Sequence, residues 1–272
     1  MLFGSDQCTN SFLNDAALEY FFKIAEADFK KAPAYGDYKR GHAFEAGMFI
    51  ITKNVLDYIG NPETFKRGLE LTTEVIHKGG LTTIGEQGYP QIDLALEEKL
   101  YSNEFNKNST PFRYLMVPNA MYLYPRLKSG EKVLAFCDSL IKTPTGPKQG
   151  WVKAIKFYVD GAIFSQMMQM SEPYEDNHKG AWMMQPAEQE DVFNVFWKAG
   201  WDIHIHVNGD AGLDTLFSIM DRVKMKTPQS KSRIIMEHYG YARQAQHEKV
   251  AAAGIWVSNN PYYYYELSAP YK

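Results

Sequence analysis

Cysteine is scarce: Cys8 and Cys137 are the only two in 272 residues. A disulfide framework is therefore not expected, and neither cysteine has the spacing of a thiolate metal site. No apolar run reaches the roughly 20 residues needed to cross a bilayer, so no membrane span is expected. No basic run stands out and the formal net charge is −3, which makes nucleic acid a poor partner. The opening MLFGSDQCTN has neither a basic stretch nor an apolar core, so no secretory signal is legible. The compartment stays open, with the cytoplasm slightly favoured. A glycine-rich phosphate loop is missing too: Glu86-Gln87-Gly88 is a poor match for a dinucleotide fingerprint.

What is present is an ordinary globular composition, 45% hydrophobic and 22% charged, long enough for one large α/β domain. The most informative stretch runs from Trp201 to Val223. Ile203, Ile205 and Val207 alternate with His204 and His206, the period-two signal of a strand. After Asn208-Gly209-Asp210 a helical spacing takes over through Leu213, Leu216, Phe217, Met220 and Val223. Two histidines thus sit at the C-terminal end of a strand that turns directly into a helix, the place where chemistry collects in parallel α/β folds. They serve either as ligands of one metal or as ordinary rim and packing residues.

Residues 1–60 read as an irregular, partly helical lead-in. Asn14 is a candidate cap for a helix through Ala17, Leu18, Phe21, Phe22 and Ala25. The segment KKAPAYGDYKRGHAFEAG reads as loop, with His42 and Glu45 as a surface pair or part of a substrate loop. Asn61-Pro62-Glu63 is a good helix start and Gly79-Gly80 a good stop. From residue 61 to 272 a strand–turn–helix unit repeats. Strands are predicted at Leu81–Gly85, Phe112–Val117, Val152–Val159, 202–207, Arg233–His238 and Gly254–Asn259. Helices are predicted at Ile92–Leu100, Glu131–Ile141, from Pro186 to Ala199, at 211–223 and at Gln246–Ala253. Strict alternation implies a parallel sheet, either open and doubly wound or part of an eight-stranded barrel. Polar residues at several strand ends favour the barrel. The whole chain, 1–272, is read as a single partial barrel domain.

Three strand ends offer metal-ligand chemistry. In VKAIKFYVDG, Lys156, Tyr158 and Asp160 are expected on one face. A lysine inside a strand needs a carboxylate partner on a neighbouring strand or a changed chemistry such as carbamylation. His204 and His206 form the second group. The third is Glu237-His238, of which only one residue can face inward. If His238 does, Ile234 and Met236 follow it as an apolar lining. Tyrosines 262–265 and methionines 167, 168, 170, 183 and 184 either line a substrate pocket or pack as core and surface.

Taken together, KFYVDG, HIHVNGD with its following helix, and RIIMEH resemble the YtcJ-like branch of the amidohydrolase superfamily, which includes N-substituted formamide deformylases. The resemblance spans Asn14 to Tyr265. GGLTTIGE is similar to the second barrel strand of that family and GIWVSNNP to the seventh. The resemblance implies an α/β fold, an incomplete (β/α)8 barrel holding strands two to seven. It also implies the ligands: His206 matches a metal-ligand histidine of strand five, His238 one of strand six, and Lys156 the strand-four position where relatives carry a carbamylated lysine bridging two metals. Asp160, Asn208, Gly209 and Asp210 match structural or substrate-side positions. His204 falls on a variable position and is expected to support the site or face substrate. The implied cofactor is a divalent metal, one or two ions, for which zinc suits the donors best while iron and manganese stay open.

Two features depart from the family pattern. No His-x-His pair precedes Gly79, and no strand-eight aspartate, the proton acceptor of the family, occurs before Lys272. No catalytic general base is therefore assigned within the chain, which is expected to be an internal piece of a longer enzyme, inactive and poorly stable alone. The expected activity is metal-dependent hydrolysis of a non-peptide carbon–nitrogen bond in a small-molecule amide by a metal-activated water. The alternatives are a catalytically inactive barrel used as a binding module and a superfamily hydrolase of esters or phosphotriesters. A homo-oligomer is compatible with the sequence.

Overall fold

A computed structural model describes residues 3–4, 10–21, 24, 26–30, 36–44, 62–91, 93–228, 230–261 and 263–267. The chain divides into two compact units, residues 1–72 with 162–166, and residues 73–161 with 167–272.

In the first unit, Asn14 does cap a helical turn. Its Oδ1 accepts from the Ala17 N–H at 2.9 Å, and a π-helical turn follows at Ala16–Phe21. Helix α1 is Glu26–Phe29. Four very short strands, β1 (Phe3–Gly4), β2 (Asn10–Phe12), β3 (Gly36–Asp37) and β4 (His42–Phe44), pair antiparallel in the order β1-β2-β4-β3. This corrects the expectation of an irregular, partly helical lead-in at one point, because β3 and β4 lie inside the segment read as loop. Strands of two or three residues are too short for an alternation signal. Leu13, Ala17, Leu18, Ile24, Phe29 and Ala43 form the small core. His42 stacks on Phe12 with ring centroids 4.3 Å apart, a packing role. Glu45 lies outside the described residues, as do Cys8, Phe22, Ala25 and Asn61.

Helix α2 (Pro62–Lys78) ends at Gly79-Gly80, where Gly80 takes φ +72° as a helix stop requires. The second unit then alternates strands and helices: β5 (Thr83–Tyr89), α3 (Leu94–Phe105), β6 (Arg113–Pro118), α4 (Ala120–Leu127), α5 (Gly130–Leu140), β7 (Gln149–Trp151), β8 (Ala154–Tyr158), α6 (Pro186–Lys198), β9 (Asp202–Val207), α7 (Asp210–Lys226), β10 (Ile234–His238), α8 (Gln244–Ala252) and β11 (Trp256–Ser258). A π-helical turn, Tyr263–Leu267, follows. Two parallel sheets result, β5-β6-β7 and β11-β10-β9-β8. They meet where β7 runs into β8. Gln149–Trp151 pairs with β6, the Val152 N–H donates to the Met116 carbonyl at 3.0 Å, and Lys156 forms a parallel bridge with Asn119 just past β6. The predicted strand at Val152–Val159 is thus the second half of a longer, kinked one. Helix α4 was not anticipated, since Pro125 in its interior breaks the helical pattern.

The two faces of the sheet are chemically distinct. Ile155 and Phe157 of β8, Ile203 and Ile205 of β9, and Ile234 and Met236 of β10 are buried in one apolar core. Helices α4 to α8 supply the other side, with Leu123, Val133, Phe193, Phe196, Leu216 and Val250 among them. Ile205 is wholly buried there, so Ile205→Val is expected to lower the unfolding free energy by about 0.5–1.5 kcal/mol in urea titrations. Among the described residues no helix is long and apolar enough to cross a membrane.

Candidate metal centre

In parallel strands, residues in register point to the same face. Lys156 pairs with His204, Tyr158 with His206, and His206 with Glu237. These five residues therefore share the face opposite the apolar core. The nominal alternation assigns Glu237, not His238, to this polar face, in register with His206.

His238 nevertheless reaches the same place. It adopts φ +70° and Tyr239 φ +52°, left-handed values that non-glycine residues visit at a cost of roughly 1–3 kcal/mol each. The strand breaks at this point, and the His238 ring lies against His206 with centroids 4.4 Å apart. The expected companions do not follow: Ile234 and Met236 lie in the apolar core with Ile203 and Ile205, not on an inner lining. The left-handed step uncouples His238 from the parity of its own strand. Backbone strain gathered at a cluster of polar side chains is a mark of a functional site.

Electrostatics support neutral imidazoles. Burial, then the neighbouring His238 and Lys156, hold His206 well below its ordinary pKa. Burial and Lys156 lower His238 to about 4. Lys156 is 2% exposed, and burial brings its ammonium down to about 7, with Glu237 opposing the shift. Its Nζ stands 5.2 Å from the centre of the Tyr158 ring, and that ring lies 5.4 Å from His206. Burial alone would raise the Glu237 carboxyl, but His204, Lys156 and Ser258 together bring it below the usual carboxylate range. His204 Nδ1 meets Glu237 Oε1 at 2.6 Å.

The pH consequence has a definite sign. A histidine whose folded pKa lies below 6.5 binds fewer protons folded than unfolded, so the stability it supports is present above 6.5 and lost as pH falls. The metal-free chain is expected to lose stability between pH 6.5 and about 4 through His238, with His206 extending the loss further down. Urea midpoints measured across that range check this, and H238A should flatten the upper part of the profile.

The remaining candidates take supporting positions. Asp160 lies past the end of β8, turned to the start of α7. It is wholly buried and accepts three backbone N–H bonds, from Asn208, Gln169 and Gly209, each at 2.8 Å. Val159 still packs in the apolar core with Ile155 and Phe157, so the alternation that predicted Asp160 opposite that core runs to the end of the strand. Asp210 accepts from the backbone and hydroxyl of Ser171 and pairs with Arg243 at 3.3 Å. The Asn208 Nδ2 lies 3.0 Å from His206 Nε2 and 3.1 Å from the Gly161 carbonyl. His204 sits one register step deeper than His206, beside Lys156. Met184 belongs to the apolar core. Sequence reading puts Tyr158 on the face of Lys156, offers Glu237 or His238 as the inward residue and the tyrosines at 262–265 as pocket lining, but gives Glu237, Tyr158 and Tyr263 no role beside His206 and His238. The parity of β8, β9 and β10 carries a signal for the first two, and nothing local marks Tyr263.

Among the described residues, no group of three or more His, Cys, Asp or Glu is disposed to hold a metal ion. His206 and His238 supply two imidazoles, and a third donor on this face is the Lys156 nitrogen. Two histidines with one further ligand suit the open coordination of a catalytic zinc, provided Lys156 is neutral or carries an added carboxylate. The lowered Lys156 pKa gives a sizeable neutral fraction near pH 7, and in donor chemistry these residues fit a divalent cation.

Known structures share the fold. The crystal structure of an uncharacterized metal-dependent hydrolase from Pyrococcus horikoshii OT3 superposes with a TM-score of 0.65 at 16% identity, covering 96% of this chain and 49% of that one. A second, from Pyrococcus furiosus, gives a TM-score of 0.61 at 17% identity, covering 94% and 49%. The chain thus spans about half the length of the solved structures it matches. No curated protein matches its sequence. The model of the amidohydrolase family matches residues 14–266, nearly the whole sequence, and the chain belongs to that family.

Proposed function

We propose that this chain carries part of the active site of a metal-dependent hydrolase acting on a non-peptide carbon–nitrogen bond, an N-substituted amide of the kind cleaved by the YtcJ-like branch. The observation that carries the reading is the contact of His206 and His238, two half-buried imidazoles with lowered pKa values from adjacent parallel strands, on the face that holds Lys156. The parallel strands β5, β6, β8, β9, β10 and β11 are read as an arc of a (β/α)8 barrel with this face inward. The solved metal-dependent hydrolases of similar fold are compatible with that reading.

His206, His238 and Lys156 would hold the cation, zinc in this proposal. A divalent ion bound there supplies Lewis acidity, lowering the pKa of a water and polarising the carbonyl under attack. Lys156, with its pKa near 7, is partly a neutral amine near pH 7, the form that adds carbon dioxide to give a carbamate and a released proton. The carbamate would provide the anionic oxygen that the imidazoles lack. His204 and Glu237 hold each other and keep a carboxylate beside Lys156. Asp160 and Asp210 fix the start of α7, where β9 ends.

The test is zinc titration of the chain with and without bicarbonate, followed by hydrolysis of N-formyl and N-acetyl amines by a protein that joins it to the remaining half of the matched fold. Stoichiometric zinc binding that tightens with bicarbonate, and amide hydrolysis abolished by chelators, are expected. Lys156→Met should abolish the bicarbonate effect and the carbon dioxide adduct in intact-mass spectra. Chelator-insensitive hydrolysis, or zinc binding indifferent to Lys156→Met, would overturn the reading.

A further inference from the structure

The tyrosine run at 262–265 is not one functional unit. Tyr264 and Tyr265 are 84% and 81% exposed, whereas the hydroxyl of Tyr263 lies 3.1 Å from Nδ1 of His238. The fold delivers it there. Strand β11 runs parallel to β10 with Ser258 in register with Glu237, so the chain leaves β11 beside the end of β10. A turn at Asn260-Pro261 follows, in which the Tyr263 N–H donates to the Asn260 carbonyl at 3.0 Å, and the phenol folds back over His238. The end of β10 thereby lies in register with Ser258 of β11 and meets Tyr263, just past that strand, through His238.

His238 needs such a hold. Its left-handed backbone has taken the ring out of the strand alternation, so the neighbouring strand parity no longer sets its direction. An imidazole binds a metal through one nitrogen, and the hydrogen bond on the other decides which one is free. We propose that Tyr263 is a positioning residue for His238: its phenolic oxygen accepts the Nδ1–H, fixing the ring and leaving the Nε2 lone pair for a cation. This rests on the proposed metal-binding role of His238, but the tautomer it specifies exists without metal.

The test uses the full chain with selectively 15N-labelled histidine. In the metal-free wild type, His238 should show the Nδ1–H tautomer. Tyr263→Phe removes only the hydroxyl and should move His238 towards the Nε2–H tautomer that free histidine favours in water. The same variant should weaken zinc binding about tenfold, the lower end of the range for losing the partner of a ligand histidine. Tyr264→Phe should change neither. A second measurement is a double-mutant cycle on melting temperature, in which the effect of Tyr263→Phe disappears in the His238→Ala background. An unchanged tautomer in Tyr263→Phe, or an equal effect from Tyr264→Phe, overturns the proposal. If wild-type chain binds no zinc while the tautomer shift is observed, the metal reading fails and the positioning of His238 by Tyr263 stands.

Discussion

Asp160→Ala is expected to lower the unfolding free energy by roughly 3–6 kcal/mol, because each buried N–H left without an acceptor costs about 1–3 kcal/mol. Three such groups depend on this one carboxylate: the backbone N–H of Asn208 on Oδ1, and those of Gln169 and Gly209 on Oδ2. They come from the loop after β8 and from the end of β9, so the substitution unfastens two segments together. Gly209 is also the N-cap residue of α7, whose start would lose its anchor. A domain typically holds only about 5–15 kcal/mol in all, so the variant should sit at the margin of folding. Asp160→Asn should fall between, since one side of the amide still accepts while the other presents a donor to a donor. Urea unfolding of the three proteins decides the matter. An Asp160→Ala midpoint equal to wild type would show that water or a rearranged loop satisfies these groups.

The second large effect is on metal. His206→Ala and His238→Ala each remove a proposed ligand, and losing a ligand should exceed the 10–100-fold cost of losing only its supporting partner. Zinc affinity is therefore expected to drop by at least about 100-fold in either variant, with amide hydrolysis falling to background. Metal content of the purified proteins and competition with a chromophoric chelator measure this. His204→Ala is the informative control, because His204 lies one register step below His206 and holds Glu237. It should alter the surroundings of Lys156 and leave zinc stoichiometry intact. Wild-type zinc content in both His206→Ala and His238→Ala would remove these residues from the site.

Much of the architecture could be read from local pattern. The alternation of Ile203, Ile205 and Val207 with two histidines, followed by helical spacing from Leu213 to Val223, predicted β9 and α7 nearly to their observed bounds. The same logic located β6, β8 and β10 and placed Lys156 and His206 on one type of face, because parity within a strand is a local property. The strands of two or three residues in the first unit escaped, since two residues contain no period. Helix α4 escaped because Pro125 argues against a helix that its neighbours nonetheless stabilise.

The composition of the site needed the tertiary structure. Parity alone assigns Glu237 to the polar face and His238 to the apolar one, and it cannot foresee that φ +70° at His238 releases the ring from that rule. Nor does spacing indicate that Tyr263, unlike the exposed Tyr264 and Tyr265, turns back to His238 across 25 residues. That contact depends on β11 lying parallel to β10. Hydrophobic period and capping residues act over one turn or one pleat, so the sequence determined where strands and helices form and which face of each is polar. Register between strands, the left-handed break after Glu237 and the meeting of His206, His238 and Tyr263 are non-local, and only the packed fold decided them.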